Sequence, residues 1–269
     1  MRDEDCVDVL RWALPRLDMR WEGFRRVRRQ VCRRIARRMA ELGVDGVEAY
    51  RRRLVETPAE WEVLDGLCRV TISRFFRDRG VWEHLRRSVL PDLVRGLRPG
   101  EPLRAWSAGC GSGEEPYTLA ILWRLSLPLS SRSPIRIVAT DAEPVVLARA
   151  RAATYPPGTL KELPEEWIEA AFEPGGEGFV LRPAFREPVE LRRQDLRHGM
   201  PDGPFHVVLC RNLPFTYFVA DVQARILEGV VDRMAPGGAL VIGSHERLPG
   251  GDGPLERGHR SHPIHRRRR

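Results

Sequence analysis

The chain has 269 residues, 42% of them hydrophobic, enough to bury a substantial core in one large domain with a smaller companion. It holds no run of about 18 uncharged apolar residues, and its acidic opening MRDEDCVDVL lacks the basic-then-apolar order of a signal peptide, so no membrane insertion and a cytoplasmic location are expected. The formal charge of +8 invites a polyanionic partner, but Lys161 is the only lysine, so the charge is nearly all arginine and its clustering matters more than its total.

Residues 20–42 carry Phe24, Val27, Val31, Ile35, Met39 and Leu42 at steps of three or four, the stripe of an amphipathic helix that Gly43 can end. VDGVEAYRRRLV predicts a second helix, and TPAEWEVLDGLCRVTI a third with Thr57 as cap and Pro58 in its first turn. Residues 1–70 therefore read as a small helical domain, and 71–102 as a linker with a connecting helix. The arginine face of the long helix is either a solvated surface or a docking surface for an acidic partner.

From Leu103 the rhythm changes. LRAWSA, IRIVATD, VELRRQD, HVVLCRN and GGALVIGSHE have the apolar runs of strands, while EEPYTLAILWRL, PVVLARARAA and VADVQARILEGVVDRM have helical spacing. Strands alternating with helices predict an α/β fold, a mainly parallel sheet covered on both faces, over residues 103–250. EPGGEGFVLRPAFREP predicts a small β insert near 173–190. Residues 251–269 read as a basic, mostly polar tail expected to be disordered, with PIHRR (263–267) as the remnant of a last strand.

Five scattered cysteines without a CxxC pair argue against a zinc knuckle or a disulfide framework and read as small buried hydrophobes. His259, His262 and His265 have a metal-compatible spacing, but among the arginines of a polar tail no metal site is expected.

The stretch WSAGCGSGEEPYTLA falls at a strand-to-helix junction, where α/β sheets bind ligands. Gly109, Gly111 and Gly113 permit positive φ and a close ligand approach, in a spacing that differs from G-x-G-x-x-G and lacks a phosphate-loop lysine. Glu114 and Glu115 directly after it would repel a pyrophosphate. Asp141, at the end of the next strand, is placed to accept hydrogen bonds from both ribose hydroxyls. Asp195 and Leu196, at the end of a third, are placed to bracket an adenine. A nucleoside with positive charge and no phosphate is the description of S-adenosylmethionine.

These residues resemble the chemoreceptor glutamate methyltransferases, the CheR family, from about residue 20 to 248. The family's T-x-F-F-R is similar to SRFFRD (73–78), its W-S-A-x-C-x-x-G-E-E-P-Y-[ST] to 106–118, and its C-R-N to Cys210-Arg211-Asn212. The resemblance implies a Rossmann-like class I methyltransferase sheet with a small N-terminal helical domain, S-adenosylmethionine as cofactor, and a protein carboxylate, a chemoreceptor glutamate, as acceptor. It places Ser73, Arg77, Gly109, Glu115, Asp141, Asp195, Leu196, Arg211 and Asn212 at the cofactor, with Arg77 on the cofactor's or the acceptor's carboxylate. Tyr217 would orient the acceptor, and Arg34, Arg37 and Arg38 would take the positions of the receptor-binding helix.

The segment CRNLPFTYFVAD departs from the family's C-R-N-x-x-x-Y-F-D by one extra residue before Tyr217 and by Val219 in place of the aspartate. Asn212 to Phe215 also resembles the N-P-P-[YF] motif of amino-group methyltransferases. An N-methyltransferase acting on nucleic acid or a protein amide, and a non-catalytic S-adenosylmethionine-binding module, are the alternatives.

Overall fold

The computed structural model describes residues 2–127, 133–176, 178–250 and 253–268. Two compact units emerge, one of Met1–Thr71 and Leu213–Gln223, the other of Ile72–Asn212 and Ala224–Arg269.

The first unit opens with α1 (Asp3–Ala13), α2 (Trp21–Phe24), α3 (Arg28–Glu41), α4 (Val47–Glu56) and α5 (Pro58–Cys68). Val9, Leu10, Val31, Ile35, Tyr50, Leu54 and Leu64 are fully buried, the inward stripes of these helices. α1 was not anticipated; Asp3, Glu4 and Asp5 occupy its first turn, where carboxylates complement the helix dipole. The helix expected over 20–42 is divided into α2 and α3. Gly23 lies just before the break, and a Cβ there would sit 2.4 Å from the Thr216 carbonyl oxygen, so the backbone approach needs glycine.

Cys6 and Cys32 form a disulfide between α1 and α3. This corrects the expectation of five unpaired cysteines: the pairing arises from helix packing across 26 residues, which no local spacing announces. Cys68, Cys110 and Cys210 are buried free thiols, as expected.

The second unit continues with α6 (Arg79–His84), α7 (Leu90–Arg95), β1 (Leu103–Ala108), α8 (Glu114–Ser126), β2 (Ile135–Asp141), α9 (Pro144–Ala152), β3 (Thr154–Tyr155), α10 (Glu165–Ala171), β4 (Phe172–Gly175), β5 (Gly178–Leu181), α11 (Pro183–Arg186), β6 (Val189–Arg193) and β7 (Phe205–Cys210). α12 (Pro214–Tyr217) belongs to the first unit, and the division falls within α13 (Ala220–Asp232). β8 (Met234–Ile242), β9 (Leu255–Arg257) and β10 (Ile264–Arg267) complete the second.

Seven strands form one sheet in the order β6-β2-β1-β7-β8-β10-β9. The first five are mutually parallel, and β10 runs antiparallel to both β8 and β9. β1 and β7 are nearly all buried, the pattern of central parallel strands. The strand order reverses around β1, so the crevice beyond the carboxyl ends of β1, β2 and β7 is where a ligand is expected. β3, β5 and β4 form a separate small antiparallel sheet, the predicted insert joined by β3; Glu177 within it lies outside the described residues.

The expectation of a disordered tail is corrected as well, while the PIHRR remnant of a last strand is present as β10. β10 pairs along β8 with Ile264 fully buried, and Leu255 of β9 is largely buried, so two apolar side chains anchor a segment that reads as polar. Residues 251, 252 and 269 of that tail lie outside the described residues.

Candidate active site

The loop after β1 is built on left-handed backbone: φ is +75° at Gly109, +55° at Gly111 and +93° at Gly113. Side chains disfavour this region by roughly 1–2 kcal/mol per residue. Gly113 also lacks space, since a Cβ would lie 2.6 Å from Tyr117 Cε2. The N–H groups of Gly109 and Cys110 both donate to the Thr140 carbonyl, at 2.8 and 2.9 Å, and the Tyr155 hydroxyl donates to the Ser112 carbonyl at 2.7 Å. The loop is thereby tied to the end of β2.

Asp141 ends β2. Its Oδ2 accepts from Gly111 N–H and its Oδ1 from Glu143 N–H, each at 2.9 Å. A carboxylate has about four lone-pair sites, so an acid that holds backbone N–H groups is chemically suited to accept from ligand hydroxyls too.

Glu114 and Glu115 begin α8 as predicted, and the two have different surroundings. Glu115 accepts from Ser107 Oγ at 2.8 Å and from Arg211 Nη1 at 3.3 Å. Burial nevertheless raises its carboxyl above the ordinary range, with Arg211 opposing the rise. Glu114 is 6% exposed; burial raises it too, against its own backbone N–H and the Ser73 hydroxyl. Its Oε2 has no hydrogen-bond partner among the described residues.

Arg211 is the hub. Its Nη2 donates to Asp78 Oδ2 at 2.6 Å and to the Arg77 carbonyl at 2.9 Å, and its guanidinium lies 5.5 Å from the centre of the Trp82 ring. The side chain is 4% exposed, and its buried Nε has no partner among the described residues. Arg77 contributes its carbonyl to this network, while among the described residues its guanidinium makes one hydrogen bond, to the Ile72 carbonyl at 2.8 Å. Asn212 follows at φ +56°, with its N–H on Glu246 Oε2 at 2.7 Å.

Gln194 N–H donates to the Asp141 carbonyl at 2.9 Å, which brings the chain after β6 beside the end of β2. Asp195 accepts from Arg197 N–H at 2.9 Å, Nε at 3.0 Å and Nη2 at 2.7 Å, and Leu196 is buried. Phe75 and Phe76 are core residues: Phe75 meets Tyr155 and Phe172 edge-on, and Phe76 lies against Trp82 and Trp167.

The remaining predicted residues lie in the first unit. Tyr217 packs edge-on against Phe24 with ring centres 5.0 Å apart, and Arg20 donates to the carbonyls of Phe215 and Thr216 at 2.5 and 3.1 Å, holding α12. Arg34 donates to the carbonyls of Leu67 and Arg69, at 3.2 and 2.7 Å, at the end of α5. Arg38 makes a two-pronged bond to Glu60, at 3.0 and 2.8 Å, and Glu60 also accepts from Tyr50. The three arginines are thus not one outward face: Arg34 and Arg38 are fastened inside the unit, while Arg37 is 74% exposed.

Sequence reasoning missed Asp78, Ser107 and Glu246. Asp78 had a signal in SRFFRD, and Ser107 in the WSA run; Glu246, four residues past β8, had none. His259 and His262 lie against His84, ring centres 4.2 and 5.4 Å away, whereas His265 sits in the β10 ladder; no metal-holding group occurs among the described residues.

The residues present fit S-adenosylmethionine. Glycines leave the main chain open to close approach, Asp141 offers two acceptor oxygens, and the unpartnered Glu114 Oε2 and Arg211 Nε complement an ammonium and a carboxylate. A glycine loop, a strand-end acid and this sheet order define a class I S-adenosylmethionine-dependent methyltransferase.

The comparisons with known proteins carry this to a family. Residues 71–260 match the CheR methyltransferase, SAM binding domain. A chemotaxis protein methyltransferase of Listeria innocua is 35% identical over 182 residues, covering 68% of this chain and 67% of the relative. One from Pseudomonas aeruginosa is 32% identical over 223 residues, with 80% and 77% covered. Another from Pseudomonas putida is 30% identical over 233 residues, with 82% of each chain covered. The chain belongs to the CheR methyltransferase family.

Proposed function

We propose that this methyltransferase modifies a side-chain carboxylate of an acidic protein partner, the cytoplasmic region of a chemoreceptor; its relatives carry the name chemotaxis protein methyltransferase. When bound, S-adenosylmethionine supplies a methyl group activated on a sulfonium sulfur. Asp141 accepts from the ribose hydroxyls, Glu115 faces the cationic end with Glu114 beside it, and Asp195 and Leu196 border the adenine. Gly109 gives the close approach, and Ser73, Arg211 and Asn212 frame the site.

The observation that carries an anionic acceptor is the contrast between the two arginines of the site. Arg211 is enclosed by two carboxylates, whereas among the described residues the Arg77 guanidinium makes one hydrogen bond, to a local carbonyl. A guanidinium so placed is available for a charge-assisted bond to an incoming carboxylate. A glutamate is already ionised at neutral pH, so the acceptor needs no general base. Catalysis reduces to positioning the carboxylate and excluding water.

Docking falls to the solvent face of α3. Arg29, Arg33 and Arg37 are exposed and four residues apart, one row on the helix that suits an acidic helix of the partner. No helix among the described residues is long and apolar enough to cross a membrane, and we place the reaction in the cytoplasm.

Incubation with methyl-labelled cofactor and a chemoreceptor cytoplasmic fragment tests the reading. Label released by mild base, the behaviour of a methyl ester, is expected. Base-stable label would indicate an amide or amine acceptor and overturn it.

A further inference from the structure

Cys210 and Ile242 are the last paired residues of β7 and β8. Beyond them, the two chains part, and their N–H groups lose the ladder. One oxygen replaces it: Glu246 Oε2 accepts from Asn212 N–H and from Gly243 N–H, each at 2.7 Å. Glu246 is 9% exposed, and its own N–H donates to the Gly243 carbonyl at 3.0 Å, closing a tight turn. Asn212 is held in the left-handed region. A Cβ at Gly243 would lie 2.6 Å from Asn212 Oδ1 and 2.8 Å from Glu246 Oε2, so a side chain there would have to displace one of these groups.

We propose that Glu246 is a positioning residue for methyl transfer, a clasp across the ends of β7 and β8 that fixes Arg211 and Asn212 for the cofactor. The proposal rests on the cofactor-site reading above. Buried N–H groups without partners are costly, so once the clasp is removed the Arg211–Asn212 segment rearranges to find new ones. Displacement of binding groups by about 1 Å is enough to impair a site severely. Both bonds end on one oxygen, so the role is one of hydrogen-bond geometry, and a glutamine carbonyl can fill it.

The test is calorimetric titration of wild type, Glu246→Gln and Glu246→Ala with S-adenosylhomocysteine, together with KM and kcat for S-adenosylmethionine. Glu246→Ala should weaken binding about tenfold or more, the scale of a buried bond left unmade, and raise KM more than it lowers kcat. Glu246→Gln should stay within about threefold of wild type, with the Asn212 and Gly243 amides still protected from hydrogen exchange. Equal binding by wild type and Glu246→Ala overturns the clasp alone, as does a Glu246→Gln variant as impaired as Glu246→Ala. Failure of the wild type to bind overturns the cofactor site and the clasp together. If Glu246→Ala does not fold, Glu246→Gln decides by itself, a tenfold loss counting against the proposal.

Discussion

The backbone N–H of Gly111 donates to Oδ2 of Asp141 at 2.9 Å, so the loop that leaves β1 is latched to the acid that ends β2. Asp141→Ala would remove the acceptor for ribose hydroxyls and release the N–H groups of Gly111 and Glu143. S-adenosylhomocysteine affinity should fall by about 1–3 kcal/mol, measured by calorimetry. Asp141→Asn keeps one acceptor oxygen and should lose less. Unchanged affinity in the alanine variant would remove Asp141 from the site.

Arg37 and Arg38 are neighbours in sequence with opposite assignments. Arg38→Ala leaves Glu60, 3% exposed, without its cation and should cost about 2–3 kcal/mol in urea unfolding, below the range for a fully buried pair because Arg38 is partly exposed. Arg37→Ala should change stability by less than about 0.5 kcal/mol, while Arg37→Glu weakens association with an acidic partner. Arg38 holds the Glu60 carboxyl below the usual range. A depressed folded value contributes stability above the unfolded value and loses it as pH falls through the folded one. The difference between wild type and Arg38→Ala should therefore shrink in acid below about pH 4.5.

Glu115 has the opposite sign. Burial raises its folded value above the ordinary one, so its charged form costs stability from about pH 4.5 upward, and that cost is complete once pH has risen through the folded value. Glu115→Gln should melt at or above the wild-type temperature at pH 7, with the advantage disappearing below about pH 4.5. The same variant should bind S-adenosylmethionine more weakly. A lower melting temperature at pH 7 would show that the bond to Arg211 outweighs burial.

Gly113→Ala combines a φ of +93° with a Cβ 2.6 Å from Tyr117, so the start of α8 must shift. A loss of about 1–3 kcal/mol in stability, with weakened cofactor binding, is expected from thermal unfolding and titration. Gly46→Ala, at φ +83° and ψ 159° where glycine alone is at ease but with no atom near its Cβ, should cost about 1–3 kcal/mol and leave binding intact.

The sheet was legible where chemistry is local. Leu103–Ala108 and Ile135–Asp141 were read to the residue because short apolar-rich runs end in turn-forming residues, and the acid at the end of β2 follows from that boundary. β10 was legible only as the remnant PIHRR because Ile264 is its only apolar residue; its place is set by pairing with β8, a long-range property. The arginine row on α3 was visible as charge, but nothing in the row shows that Arg38 turns toward Glu60, 22 residues away. Glu246 escaped for a related reason, since a side chain that serves backbone N–H groups leaves no pattern of residue types.

Bare main chain at 109–113 and the acids around it suit an adenosyl sulfonium and no phosphoryl group. Titration of the wild-type protein with S-adenosylhomocysteine, repeated in the presence of excess ATP or NAD, tests it most directly. Saturable binding of one molecule per chain, unaffected by either nucleotide, is the predicted result. Absence of binding, or displacement by the phosphate-bearing nucleotides, would contradict it.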